Sequence, residues 1–245
     1  MVKASLLIIG DEILSGRTQD KNLGYLAPWL NETGIQLAEA RIVPDIESEI
    51  VEAVNSLRAK YDYVFTTGGI GPTHDDITSS SVAKAFGRKH TIHPEAYRRL
   101  AVHYKENDFT DARQRMAYTP EGAELVDNPV SIAPGFQVEN VFVLAGVPKI
   151  MQAMLEQLRP RLKGGKKILS KTLVVFAPES EVAETLEEIE TNRTGTGVGS
   201  YPFFREGVVG TEIVVRSENE DQIDLAIEDL KAFCDKQGFK TKPKA

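Results

Sequence analysis

The sequence predicts an α/β protein: a mostly parallel sheet with helices on both faces, followed by a small α+β C-terminal domain. Three observations predict it. Apolar runs too short for core helices alternate with stretches of helical period, the order expected of a parallel sheet covered on both sides. The third such run passes straight into a glycine-rich loop and then a further helical stretch. A basic, glycine-containing segment, 159–167, then breaks the pattern like a linker, and a second series of strands and helices begins. The expected boundaries are 1–162 for the first domain and 168–235 for the second, with 236–245 a frayed Lys/Pro tail.

Residues 4–9 form a buried strand cut off by Gly10. Leu23, Leu26, Ala27 and Leu30 then recur at helical spacing, with Asp20 placed to cap the helix and Pro28 to kink or shorten it. Residues 35–43 are the second strand, and Ile46, Ile50, Val54 and Leu57 mark the helix after it. Tyr63 to Thr67 is β-branched and aromatic, hence a third strand, and a helix is expected from about Asp76 to Phe86. Helical stretches at 94–107 and 109–118 precede a hairpin within 133–144 and a helix over 148–158, where Pro148 suits the first turn. Beyond the linker come a strand (169–176), a helix (179–191), strands at 196–201 and 210–216, and a helix (220–234). Val182, Leu186 and Ile189 give the first of these helices its apolar face; Ile223, Ala226, Ile227 and Leu230 do so for the second.

Composition narrows the function classes. With 245 residues, 41% hydrophobic and 27% charged, the chain can build its core without staples. The single cysteine, Cys234, excludes an intrachain disulfide framework and a Cys-rich zinc site. A net charge of −7 argues against a general nucleic-acid binder. The N-terminal apolar run stops at Gly10-Asp11-Glu12, too early for a signal peptide or a membrane span. The expectation is a cytoplasmic protein with a small-molecule partner, and neither nucleic acid nor membrane.

The chemistry concentrates in Gly68-Gly69-Ile70-Gly71-Pro72-Thr73-His74-Asp75-Asp76, directly after the third strand. Glycines there let backbone N–H groups converge on an anion, and the following helix points its N-terminal dipole at the same spot. Ligands of open parallel sheets collect at the carboxyl ends of strands. Asp75 and Asp76 beside a phosphate cradle would repel an anion unless a cation stands between them, and magnesium-like ions take carboxylate and phosphate oxygens together. Asp11 and Glu12 follow the first strand and Asp45 the second, so all should share one sheet edge. Acids around a phosphate cradle point to metal-assisted phosphoryl or pyrophosphate chemistry. Asp11, Glu12 and Asp76 are the expected metal ligands, for magnesium, manganese or cobalt, with potassium a further candidate; Asp45, Asp75 and Asp76 are the expected catalytic acids. Gly68, Gly69 and Gly71 would cradle the phosphate, Thr73 and Thr78 would donate hydrogen bonds, and Lys149 would meet a second phosphate. Plainer readings stand beside these: Asp76 and Asp45 as helix caps, the glycines as a tight turn, His74 as a solvated loop residue, and His90, His93 and His103 as structural or surface residues. No G-x-x-x-x-G-K-[ST], full G-x-G-x-x-G, H-E-x-x-H or G-x-S-x-G sequence occurs.

Several segments resemble the MoaB/Mog-type, molybdopterin-binding-like superfamily, and more closely its CinA N-terminal branch. They are Ile9-Gly10-Asp11-Glu12-Ile13-Leu14-Ser15-Gly16, then Thr67 to Thr78, Asn128-Pro129, Ala133-Pro134-Gly135-Phe136 and Gly146-Val147-Pro148. Gly199-Ser200-Tyr201-Pro202 is similar to the small second domain and to eukaryotic FAD synthases. The resemblance implies a MoaB/Mog-like fold, a homo-oligomer, and a ligand contacted by Gly146 and Pro148 as well as the glycine loop. It implies either metal-dependent hydrolysis of nucleotide pyrophosphates of the ADP-ribose or FAD class, or binding or adenylylation of molybdopterin; a nucleotide-sensing module without turnover is a third reading. Ala145 stands where the branch often has proline, and Ala177-Pro178-Glu179-Ser180 replaces a more usual Gly-Glu-Ser.

Overall fold

A computed structural model describes residues 1–104, 108–205 and 207–244 and divides the chain into two compact units, Met1–Gly165 and Lys166–Ala245. The first unit runs β1 (Val2–Ile9), α1 (Asp11–Leu14), α2 (Asn22–Glu32), β2 (Ile35–Val43), α3 (Glu47–Lys60), β3 (Tyr63–Thr67), α4 (Thr78–Ala85), β4 (His90–Ile92), α5 (Pro94–His103), α6 (Asp111–Gln114), β5 (Tyr118–Pro120), β6 (Glu124–Val126), β7 (Gly135–Val138), β8 (Val141–Leu144) and α7 (Pro148–Leu158). Its six-stranded sheet has the order β2-β1-β3-β8-β7-β6. β2, β1, β3 and β8 are mutually parallel, and the β8-β7-β6 end is antiparallel.

Strand period sorts the side chains into two cores. Ala4, Leu6 and Ile8 of β1 join Phe65, Leu144 and the buried stripes of α2 and α7; Leu7 and Ile9 join Val64, Val143 and residues of α3 and α4. Both faces are thus covered, as the alternation of elements predicts.

Local departures have local causes. α2 runs through Pro28, which lies on its exposed face, where water can serve the Gly24 carbonyl left without its helical donor. Its buried stripe is Asn22, Leu26, Trp29 and Leu30, while Leu23 is exposed. Asp20 does serve the helix start, accepting from the amides of Asn22 and Leu23. Ile46, expected on the apolar face of α3, is its exposed N-cap. The helix expected at 109–118 is one turn of α-helix, a 3-10 turn at Arg115–Ala117 and then β5. β5 pairs with β4 in a separate two-stranded ribbon. The last three residues of the helix expected over 94–107 lie outside the described residues.

The second unit comprises β9 (Leu169–Val175), a 3-10 turn at Glu179–Glu181, α8 (Ala183–Asn192), β10 (Thr196–Arg205), β11 (Val208–Ser217), α9 (Glu220–Gln237) and β12 (Thr241–Lys244). Its antiparallel sheet has the order β10-β11-β9-β12. Val182, Leu186, Ile189, Ile223, Ala226, Ile227 and Leu230 pack on Leu173, Val175, Ile213 and Val215, as their spacing predicts. The tail is a correction: instead of fraying, residues 241–244 pair with β9, and Pro243 is tolerated there because β12 is an edge strand. The segment expected as a linker is another. Residues 159–165 fold back on the first unit, where the Gly165 amide donates to Gly34 O at 2.9 Å.

Candidate functional site

Because β1, β2, β3 and β8 are parallel, their carboxyl ends open on one edge, and the loops after them meet there. The Gly10 amide donates to Val43 O at 3.1 Å, joining the ends of β1 and β2. One residue on, the Asp11 amide donates to Asp45 Oδ2 at 3.0 Å. Burial pushes the Asp45 carboxyl above its ordinary range; the Asp11 amide opposes that, and the charges of Asp11, Glu12 and Asp75 add to the rise. Acids from three loops therefore share one field.

The glycine loop is held tightly from beneath. Gly68 has φ +105°, and a Cβ there would lie 2.1 Å from Ile9 O, so only glycine lets β3 leave the sheet beside β1. The Thr78 hydroxyl donates to Gly68 O at 2.9 Å and its amide to Gly69 O at 3.0 Å. Asp76 Oδ2 accepts from the Thr73 amide at 2.8 Å and from the Thr73 hydroxyl, and a Cβ on Gly71 would lie 2.6 Å from that same oxygen. The exposed Asp75 carboxyl is held below the usual range by its surroundings in the same turn, Thr73 first and then its own backbone. Among the described residues, the amides of Gly69, Ile70 and Gly71 have no protein acceptor. Gly146 completes the edge: a Cβ there would lie 3.2 Å from Gly68 Cα, and its carbonyl accepts from Asn22 Nδ2 at 2.9 Å.

The expected site residues thus separate. Asp11, Glu12, Asp45 and Asp75 converge, and Gly68, Gly69, Gly71, Asp76 and Gly146 border them. Thr78 is a correction: it is buried and its donors are spent on the loop, so it braces the site rather than facing a ligand. The Thr73 hydroxyl is likewise committed to Asp76. Neither Asp76 nor Asp45 caps a helix, because α4 and α3 begin after Ile77 and Ile46 without side-chain caps. Pro148 opens α7, and Lys149 is exposed in its first turn. His74 is solvated, as its loop position predicts.

A cavity of about 500 Å³ adjoins the loop at Ile70, Gly71 and Asp76. Met116, Tyr118, Pro134 and Phe136 supply apolar wall, and Ser79, His90, Asp111, Gln114 and Arg115 supply polar groups. His90, expected as a structural or surface residue, faces this cavity. None of these polar residues carries a local signal, because they come from separate short elements: Ser79 from α4, His90 from the three-residue β4, Asp111 and Gln114 from α6 and Arg115 from the 3-10 turn after it. Although the His90 ring has one edge in solvent, desolvation of the rest holds its pKa below the usual value, opposed by a hydrogen bond with the Tyr118 backbone.

Among the described residues no three acidic, histidine or cysteine side chains form a metal-ligand set. The crowded acids still suit a hard cation that takes one or two carboxylates and completes its shell from substrate phosphate.

Residues 5–164 match the family model described as Probable molybdopterin binding domain. The chain belongs to that molybdopterin-binding-domain family. Residues 167–242 match the FAD synthase middle domain. A protein of Pyrococcus horikoshii is 36% identical over 82% of this chain and 87% of its own length. Another, of Thermococcus kodakarensis, is 34% identical over 94% of this chain and 96% of its own. The crystal structure of a CinA protein of unknown function from Thermoplasma acidophilum is 34% identical, with TM-score 0.62, covering 65% of this chain and 96% of that one. The resemblance to MoaB/Mog and CinA proteins, and to FAD synthases in the second unit, is therefore borne out. Among the described residues of this family member, no helix is long and apolar enough to cross a membrane.

Proposed function

We propose that the chain is a divalent-metal-dependent hydrolase of nucleotide pyrophosphates, of the ADP-ribose or FAD class. The carrying observation is the Asp45 carboxyl held in the field of Asp11, Glu12 and Asp75 beside three unpartnered amides of the glycine loop. Like charges gathered around an anion cradle make sense when a cation links them to phosphate. One or two of Asp11, Glu12 and Asp76 would hold that cation, with phosphate oxygens completing its shell; when bound it draws charge from the phosphorus and screens the acids. The amides of Gly69, Ile70 and Gly71 would take phosphate oxygens. Asp45, with its raised pKa, is the better base and would take the proton of an attacking water; Asp75 would orient that water. Lys149, exposed at the start of α7, would meet the second phosphate. The match of the second unit to a FAD synthase domain supports a nucleotide ligand.

The family description favours one other reading, a pterin-binding or adenylylating protein. A screen of ADP-ribose, FAD and NAD with magnesium, manganese or cobalt, with and without potassium, separates the two. The hydrolase reading expects metal-dependent release of AMP, reduced at least 100-fold by Asp45→Asn. No turnover at high enzyme concentration, together with retention or ATP-dependent adenylylation of a pterin, would falsify it. Tight nucleotide binding without product would mark a sensing module.

A further inference from the structure

We propose that the cavity beside the glycine loop seats a planar, nitrogen-bearing ring attached to the phosphate-bearing ligand, and that His90 and Arg115 read that ring's edge. The inference rests on reading the loop as a phosphate cradle. Continuity is the first argument. Ile70 and Gly71, whose amides are unpartnered among the described residues, also line the cavity, so one molecule spans both. About 500 Å³ lies within the range of pockets that enclose ligands of nucleotide size.

Wall chemistry is the second argument. Flat or adaptable apolar groups from Met116, Tyr118 and Phe136 suit a ring's faces, and a few polar groups suit its edge. The Ser79 hydroxyl gives its proton to Tyr118 O at 2.7 Å, so it accepts from His90 Nε2 at 3.1 Å. Bonded to Ser79 and to the Tyr118 backbone, the imidazole is fixed at the cavity wall, where its exposed edge meets the ring of a ligand. Gln114 spends an amide proton on Phe109 O at 3.2 Å and keeps its carbonyl oxygen for another donor. Arg115 is exposed and makes no ion pair among the described residues, so its planar guanidinium is free for a ring nitrogen or carbonyl. Donor and acceptor groups side by side recognise a purine or a pterin equally, and the test distinguishes them.

Calorimetric titrations with magnesium would compare inorganic pyrophosphate, ADP-ribose, ribose 5-phosphate and a phosphorylated pterin against the wild-type chain, Arg115→Ala and His90→Ala. The wild type is expected to bind one ring-bearing ligand at least 10-fold more tightly than the ringless ones, and whether purine or pterin wins names the source. Both variants are expected to lose most of that gain while holding pyrophosphate as before. Arg115 is exposed, so its variant folds even if His90→Ala does not. If pyrophosphate binds the wild type but the ring adds nothing, or the variants weaken all ligands alike, the cavity assignment is overturned while the phosphate cradle stands. If pyrophosphate itself does not bind, the cradle reading fails and takes this inference with it.

Discussion

Asp45 shows how a site residue sets its own cost. Its folded-state pKa lies above the ordinary 3.8, chiefly through burial and then through Asp11, Glu12 and Asp75. A carboxyl with a raised folded pKa binds its proton more tightly in the native state. The associated stability is present below pH 3.8 and is lost as pH rises through the folded value. At neutral pH the full penalty applies. Asp45→Asn removes that charge and keeps an oxygen for the Asp11 amide, so without metal it should raise the melting temperature at pH 7 by about 1–2 °C. The gain should fade in melts run toward pH 4. A lower melting temperature at pH 7 would mean that the bond to the Asp11 amide outweighs the repulsion. The meeting of Asp11 with Asp45 was legible in the sequence, because each follows a strand and parallel strands end on one edge. The role of Thr78 was not: a threonine after two acids looks like a ligand donor until its burial and its bond to Gly68 O are seen. His90 and Arg115 were hidden for a different reason, since a cavity wall assembled from four separate segments leaves no spacing to read.

At the scale of the element, periodicity decided what could be anticipated. β1, β2 and β3 and the helices after them carry enough apolar residues to declare their period. β4, β5 and β6 are three residues each and declare none. β12 misleads by composition: Thr241-Lys242-Pro243-Lys244 resembles a solvated tail, yet it covers the open side of β9. Its anchors include the Phe176 amide donating to Lys240 O at 2.9 Å and Lys244 Nζ 2.6 Å from Glu212. The surface ion pair adds little by itself, whereas the ladder closes an edge that would otherwise invite strand addition. Removing residues 240–245 should therefore lower the melting temperature of the second unit by about 5 °C, as loss of ~1 kcal/mol would in a domain of this size. It should also speed aggregation on heating. Calorimetry with light scattering checks both, and an unchanged melt with no added scattering would make β12 a passive tail.

For the whole molecule, the question is where the first unit ends. Basic residues around Gly164-Gly165 have the composition of a tether, and composition alone places the boundary before them. The glycines serve close packing instead. A Cβ on Gly164 would lie 1.6 Å from Thr33 O, so the chain crosses the β2 entry in near contact. Nearby, the Lys163 amide donates to Tyr63 Oη at 3.0 Å, Arg161 donates to Leu125 O at 2.9 Å, and Leu162 packs against the first core. Together with the Gly165 amide on Gly34 O, these contacts fasten the end of the unit across β2, β3 and β6. At about 1 kcal/mol for each hydrogen bond, they stabilise the unit by roughly 2–4 kcal/mol. A fragment of residues 1–165 should fold with one cooperative transition and keep magnesium-dependent binding of pyrophosphate, because every residue placed in the candidate site lies within it. A fragment of residues 1–158 should melt about 5–10 °C lower. Equal melting temperatures for the two fragments would return the segment to the role of a tether and leave the sheet closed by its own core.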